Sequence, residues 1–194
     1  MFNQRTAVFW AFSFILLLTA LRILALAITP TDLFVDEAQY WFWGQNLDFG
    51  YYSKPPLIAW LIRFVTDLAN SSDAFWVRVP APLLHGLTAV LLGVFAARRF
   101  DFVTGAWVSV GYVSLPIVAV GSFMISTDTV LAPFYVLALI FYDQANRSGS
   151  LRAAAMAGAV LGAAFMAKYA ALYFIMCLPL VYLFCGDQRL RWAQ

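Results

Sequence analysis

A succession of apolar runs, most of them near the length that crosses a bilayer, constrains this chain more than any other feature. A spanning helix needs about 20 apolar residues, and such runs fall at 7–28, 80–97, 103–125, 130–142, 153–167 and 169–185. They predict an all-α integral membrane protein, a bundle of about six transmembrane helices. The first run is broken only by Arg22. It is too long and too poorly terminated for a cleaved signal peptide, so it reads as an anchor helix. Very short polar connections separate the last four runs, which implies antiparallel neighbours.

Composition agrees with this reading and removes other classes. The chain is 63% hydrophobic and 11% charged, far from the balance of a soluble domain. A net charge of +2, with basic residues lying between runs rather than along one face, excludes a nucleic-acid footprint. Cys177 and Cys185 lack metal-ligand spacing and read as small buried hydrophobes.

The positive residues give an orientation. Arg5, Arg98, Arg99, Arg147, Arg152, Arg189 and Arg191 fall on one side. Lys54, Arg63, Arg78 and Lys168 fall on the other, with seven of the ten acidic residues. The arginine-rich side is expected in the cytoplasm, with the N-terminus. The charged segment 30–79 then forms a large external loop, periplasmic in a bacterium.

Two run lengths add detail. The run 130–142 is short for a full span, which places Asp128 at or slightly below the external surface. Residues 153–185 are too long for one crossing and tight for two, so Lys168-Tyr169 is the expected turn. Ala154, Gly158 and Gly162 form a small-residue stripe suited to helix packing.

Five ionisable residues then gather near the external surface: Asp36, Glu37, Lys54, Asp128 and Lys168. Ionisable groups held at membrane depth are costly, so they pair or serve a task. The bland reading is a set of interfacial charges, with Asp36-Glu37 favouring a helix N-terminus. Tyr40, Trp43 and Leu47 share a stripe after that pair, which suits a helix lying in the interface plane. Lys54 stands before Pro55-Pro56. Two fixed φ angles force an extended approach and then permit a helix to begin. Leu57, Leu61, Phe64, Val65 and Leu68 repeat at helical spacing, with Arg63 and Asp67 placed for an ion pair. A lysine so mounted suits a phosphate. Two further residues lie within apolar runs. His85, the only histidine, reads as a packed, hydrogen-bonded residue, and Arg22 as one that pairs with a residue of the portion of the protein outside residues 1–194.

The runs Val35-Asp36-Glu37-Ala38-Gln39-Tyr40, Tyr52-Ser53-Lys54-Pro55-Pro56-Leu57 and Arg78-Val79-Pro80 resemble the opening of polytopic GT-C glycosyltransferases. More narrowly, they are similar to the protein O-mannosyltransferase and aminoarabinose (lipid A) transferase-like group, of the glycosyltransferase family 39 and 83 type. Thr127-Asp128 and Lys168-Tyr169 fit the same pattern. Order, spacing and placement on one side carry the resemblance; a bare Asp-Glu would not. It covers nearly all of residues 1–194, which look like the N-terminal part of a longer GT-C transmembrane domain.

The resemblance implies an inverting transfer of a sugar from a polyprenyl-phosphate-linked donor to an extracytoplasmic glycolipid, such as lipid A, or to protein. It implies a bacterial inner membrane as the location. The absence of both a G-x-G-x-x-G and a Walker pattern agrees with a lipid-linked rather than a soluble nucleotide donor. Carried onto this sequence, Asp36 becomes the general base or acceptor-orienting group, with Glu37 as a second or supporting carboxylate. Lys54 and Lys168 would bind the carrier phosphate, with help from Arg78, and Asp128 would line the acceptor pocket. A divalent cation between Asp36 and Asp128 is chemically open, because hard cations take carboxylate oxygens. Two other classes compete: a membrane transporter or flippase, and a non-catalytic membrane subunit. A transporter should show charges near the midplane and broken helices in repeated positions. A subunit would have no need of the acid and lysine cluster.

Overall fold

The computed structural model describes residues 3–184, and these are helical with no strand among them. α1 (Gln4–Ile28) is followed by an excursion of three shorter helices, α2 (Val35–Gly44), α3 (Leu57–Ala69) and α4 (Ala74–Arg78). α4 runs on almost without a break into α5 (Pro80–Arg99). α6 (Phe102–Val113), α7 (Pro116–Gly121), α8 (Thr127–Ser148), α9 (Leu151–Ala167) and α10 (Leu172–Phe184) complete the described chain. Gln4–Ile28 and the joined Ala74–Arg99 are long and apolar enough to cross a membrane. Phe102–Val113, Leu151–Ala167 and Tyr169–Val181 are apolar but shorter.

Side-chain pairs give the directions. His85 meets Tyr112 near the start of α5 and the end of α6, so these helices are antiparallel. Arg22 meets Val113 near the ends of α1 and α6, so these are parallel. Arg99 pairs with Asp143 and His85 meets Thr129, which makes α5 and α8 parallel. Lys168, just past α9, reaches Asp128 at the start of α8, closing an antiparallel α8–α9 hairpin. One end of the bundle thus carries Arg5, Arg98, Arg99, Arg147 and Arg152. The other carries α2, α3, Asp128 and Lys168.

Two expected spans have different bounds. The run 103–125 is not one helix, because α6 stops at Val113 and α7 begins only at Pro116. Pro116 cannot continue the helical hydrogen bonds, and it holds Leu115 extended at φ −60, ψ 135. The run 130–142 underestimates its helix. α8 has 22 residues and includes Pro133, because Ser126 caps its start and polar residues continue the coil after the apolar stretch ends. The expected turn at Lys168 is present, with extended φ −159 and ψ 137. Leu47 lies beyond α2, which ends at Gly44.

Close approach of α5 and α6 needs glycine. A Cβ on Gly105 would lie 2.6 Å from the Gly93 carbonyl oxygen and 2.8 Å from the Ala97 Cβ. One on Gly93 would collide with the Ser109 hydroxyl. Gly105→Ala should therefore destabilise the protein by about 1–3 kcal/mol, the usual cost of overpacking, and lower its thermal midpoint in detergent. Gly158→Ala is the control. A Cβ at Gly158 or Gly162 would meet nothing within 4 Å, so these two glycines of the expected packing stripe are not at a close helix contact among the described residues. Cys177 is exposed on α10 rather than buried, because few other elements pack against that helix, and Cys185 lies outside the described residues.

Candidate active site

At the acid-rich end, two adjacent carboxylates have opposite surroundings. Successive residues on a helix point about 100° apart, so Asp36 and Glu37 in the first turn of α2 cannot face the same way. Glu37 points inward and is 1% exposed. Its carboxylate accepts from Arg78 Nη2 at 2.7 Å, from Arg78 Nε at 3.1 Å, and from the backbone N–H of Phe34 at 3.0 Å and of Ile125 at 2.9 Å. Arg78 is also buried. It donates further to the Thr31 carbonyl and hydroxyl and to the Asp32 carbonyl, at 3.0, 2.9 and 2.7 Å. All five guanidinium hydrogens therefore have protein acceptors. The expected contribution of Arg78 to a carrier phosphate has no free donor in this arrangement. Burial of a charged pair is tolerated only with such full satisfaction, and here it ties α2, α4, the residues after α1 and the approach to α8 into one unit.

Asp36, by contrast, is exposed and makes no hydrogen bond or ion pair among the described residues. Burial pushes the Tyr40 phenol above its usual range, and the charges of Asp36 and Asp128 push it further. Both carboxylates therefore act on the same buried ring. Asp128 in turn holds Lys168, whose Nζ lies 2.6 and 2.7 Å from its two oxygens. The pair is partly open, with side-chain exposures of 30% for Lys168 and 70% for Asp128. An ammonium has three donors, so Lys168 keeps one for another ligand.

Lys54 is half-buried and makes no ion pair among the described residues. Its segment is stiff in the way the proline pair predicts. The Tyr51 N–H donates to the Lys54 carbonyl at 3.1 Å, the Tyr51 ring stacks on Trp43 at 5.0 Å, and Pro55 and Pro56 are buried. The expected Arg63–Asp67 pair forms at 2.7 Å.

The cation set is poor. No three His, Cys, Asp or Glu groups converge among the described residues, and a cation at Asp128 would compete with the Lys168 ammonium already on both oxygens. Both Asp128 oxygens are engaged by Lys168 in this structure.

The reading of His85 as a packed, hydrogen-bonded residue holds, while its partners, 27 and 44 positions away, were not legible in the sequence. His85 is buried, with Nδ1 3.1 Å from the Tyr112 hydroxyl and Nε2 3.4 Å from the Thr129 hydroxyl. Thr129 also contacts the Ser126 hydroxyl at 3.0 Å, so the histidine braces the turn that carries Asp128. Arg22 donates to the Val113 carbonyl at 2.7 Å, while its Nη1 is buried without a partner among the described residues. The Ser126-Thr127-Asp128-Thr129 run was the available signal, since serine three residues before a threonine N–H is a capping pattern.

Comparisons with known proteins identify the family. Residues 53–194 match the protein family described as dolichyl-phosphate-mannose-protein mannosyltransferase. The chain belongs to that family. It is a glycosyltransferase family, in accord with the GT-C resemblance of the sequence. The chain is also 43% identical over 157 residues to the lipid A galacturonosyltransferase RgtD of Rhizobium johnstonii. That match covers 81% of this chain and 33% of the relative, so the chain spans about a third of the length of the curated relative it matches. No solved structure matches the chain. The family match takes in Lys54, Arg78, Asp128 and Lys168 but begins after Asp36 and Glu37.

Proposed function

We propose that the protein containing this chain transfers a sugar from a polyprenyl-phosphate-linked donor to a glycolipid acceptor of the lipid A type, outside the cytoplasm and with inversion. The single observation that carries the reading is the division of labour between Asp36 and Glu37. A carboxylate with no other engagement stands on a helix that its buried neighbour locks in place. The 43% identical relative, a lipid A galacturonosyltransferase, favours a glycolipid acceptor over a protein.

In the proposed step an acceptor hydroxyl oxygen attacks the anomeric carbon from the face opposite the phosphate. The bond from that carbon to the phosphate oxygen breaks, and the electron pair leaves with the polyprenyl phosphate. The hydroxyl proton passes to the Asp36 carboxylate, which acts as general base. The Lys54 ammonium and the remaining donor of Lys168 face the charge that develops on the leaving phosphate. Asp128 holds Lys168 in place. Glu37 and Arg78 frame α2 without touching substrate. The arginine-bearing end faces the cytoplasm of a bacterial inner membrane, which places the acidic end at the opposite headgroup surface.

The test is transfer of labelled sugar to lipid A in membranes carrying the full-length protein, with product configuration read by NMR. The expected product has the anomeric configuration opposite to the donor. A retained configuration, or transfer that proceeds equally well without the lipid carrier, would sink the reading. In the same assay Lys54→Gln should raise the donor KM about tenfold or more, as loss of a charge-assisted phosphate contact does. The acceptor KM should hardly move. An unchanged donor KM would remove Lys54 from the phosphate site.

A further inference from the structure

At the opposite end of the bundle the packing opens. Beside the tight contact of α5 and α6 at Gly93, Ala97 and Gly105, the small side chains of Ala11 on α1 and Ala106 on α6 do not fill the space among the three helices. They leave an apolar groove of about 430 Å³, within the range of about 300–1,000 Å³ typical of small-ligand sites. Its walls include Val8, Phe12 and Phe102, all exposed. Toward the acid-rich end it closes where Ile15, Ala89 and Val113 pack together, 4%, 0% and 0% exposed.

From Val8 to Ile15 the groove is about 10 Å long at a rise of about 1.5 Å per residue. That is within one leaflet of a hydrocarbon core about 30 Å thick. A further membrane helix, about 10 Å across and spanning both leaflets, would need the groove to continue past Ile15. A lipid tail does not.

The open end is positively charged. Arg98 lines the groove, and an adjoining recess of about 510 Å³ shares Val8, Phe12 and Phe102 and carries Arg5. Neither guanidinium has an acidic partner among the described residues. The acids nearby in sequence are engaged. Asp101 accepts from the N–H groups of Val103 and Thr104 and from the Thr104 hydroxyl, and Asp143 pairs with Arg99 and Arg147. An apolar slot one leaflet long, ending in two guanidiniums without counter-charges among the described residues, has the shape and charge of an anionic lipid.

We propose that this groove binds an anionic phospholipid of the arginine-bearing leaflet, with one acyl chain along α1, α5 and α6 and the headgroup phosphate on Arg98 and Arg5. Guanidinium and phosphate match in geometry and charge, and anionic headgroups gather at basic membrane surfaces. The site lies at the end of the bundle away from Asp36, so the inference stands whether or not the transfer reading does.

The experiment uses the full-length protein in nanodiscs of phosphatidylcholine with a minor fraction of phosphatidylglycerol. Lipids retained on the released protein are counted by native mass spectrometry. Phosphatidylglycerol should be enriched over its share of the bilayer. The double variant Arg5→Gln with Arg98→Gln should lower that enrichment about tenfold. Ala106→Trp, which fills the groove and leaves both arginines in place, should also abolish it. Retention of phosphatidylglycerol no better than phosphatidylcholine would overturn the proposal, as would an unchanged double variant. So would cross-linking of the Ala106→Cys variant to another helix of the same protein, which would show that protein covers the groove.

Discussion

Asp36→Asn in the full-length protein should lower sugar-transfer turnover by about 10²–10⁴-fold, the usual contribution of a positioned general base. The substitution keeps the side chain's size and removes its charge. Asp36 is exposed and has no hydrogen bond or ion pair among the described residues, so the fold loses only a helix N-terminal charge, about 0.3–1 kcal/mol. Protein level, thermal midpoint and donor binding should stay near wild type while turnover falls. Turnover, donor affinity and protein level are therefore measured on one membrane preparation. Wild-type turnover from Asp36→Asn would exclude this carboxylate as the base and leave it a helix N-terminal charge.

Removing either member of the buried pair should do the reverse and act first on stability. Arg78→Ala leaves the buried Glu37 carboxylate with the Phe34 and Ile125 N–H groups but no counter-charge, and Glu37→Ala leaves the buried guanidinium with the Thr31 and Asp32 oxygens but no counter-charge. Breaking a buried pair in this way costs about 3–5 kcal/mol. Neither variant should accumulate as folded protein to wild-type level, and both should melt earlier in detergent. The double variant should be less damaged than the sum of the singles, because the charge left alone in each single is the main penalty. Activity per folded molecule is the deciding readout. If Arg78→Ala folds normally and loses only donor affinity, Arg78 binds phosphate and its role as a frame is wrong.

These substitutions mark what sequence could and could not separate. Asp36 and Glu37 are neighbours of the same chemical type, and propensity places both in a helical first turn. Which one is buried depends on Arg78 and on the Ile125 N–H, 41 and 88 positions away from Glu37, and no local pattern contains that. Lys168 and Asp128 were legible as separate external charges, while their pairing across 40 positions follows from the α8–α9 hairpin. Lys54 was the easier case, because its stiffness comes from Pro55 and Pro56 beside it. The break at Pro116 was legible in principle. The apolar run across it hid the break, since hydropathy does not register a missing N–H. α8 erred the other way, because the helix outlasts its apolar stretch.

The hydrogen bond from the Ile125 N–H to Glu37 also bears on how loop lengths in this fold can drift. It fixes a point between α7 and α8 against the first turn of α2, so the stretch 122–125 has no slack. Ser122 within it is fully buried. One residue added there would pull the backbone donor off the carboxylate. Gly50 is the opposite case, exposed and with nothing within 4 Å of an added Cβ. Tolerance to insertion follows burial and bonding of the affected backbone. Length variation among functional relatives should therefore gather around position 50 and be rare at 122–125.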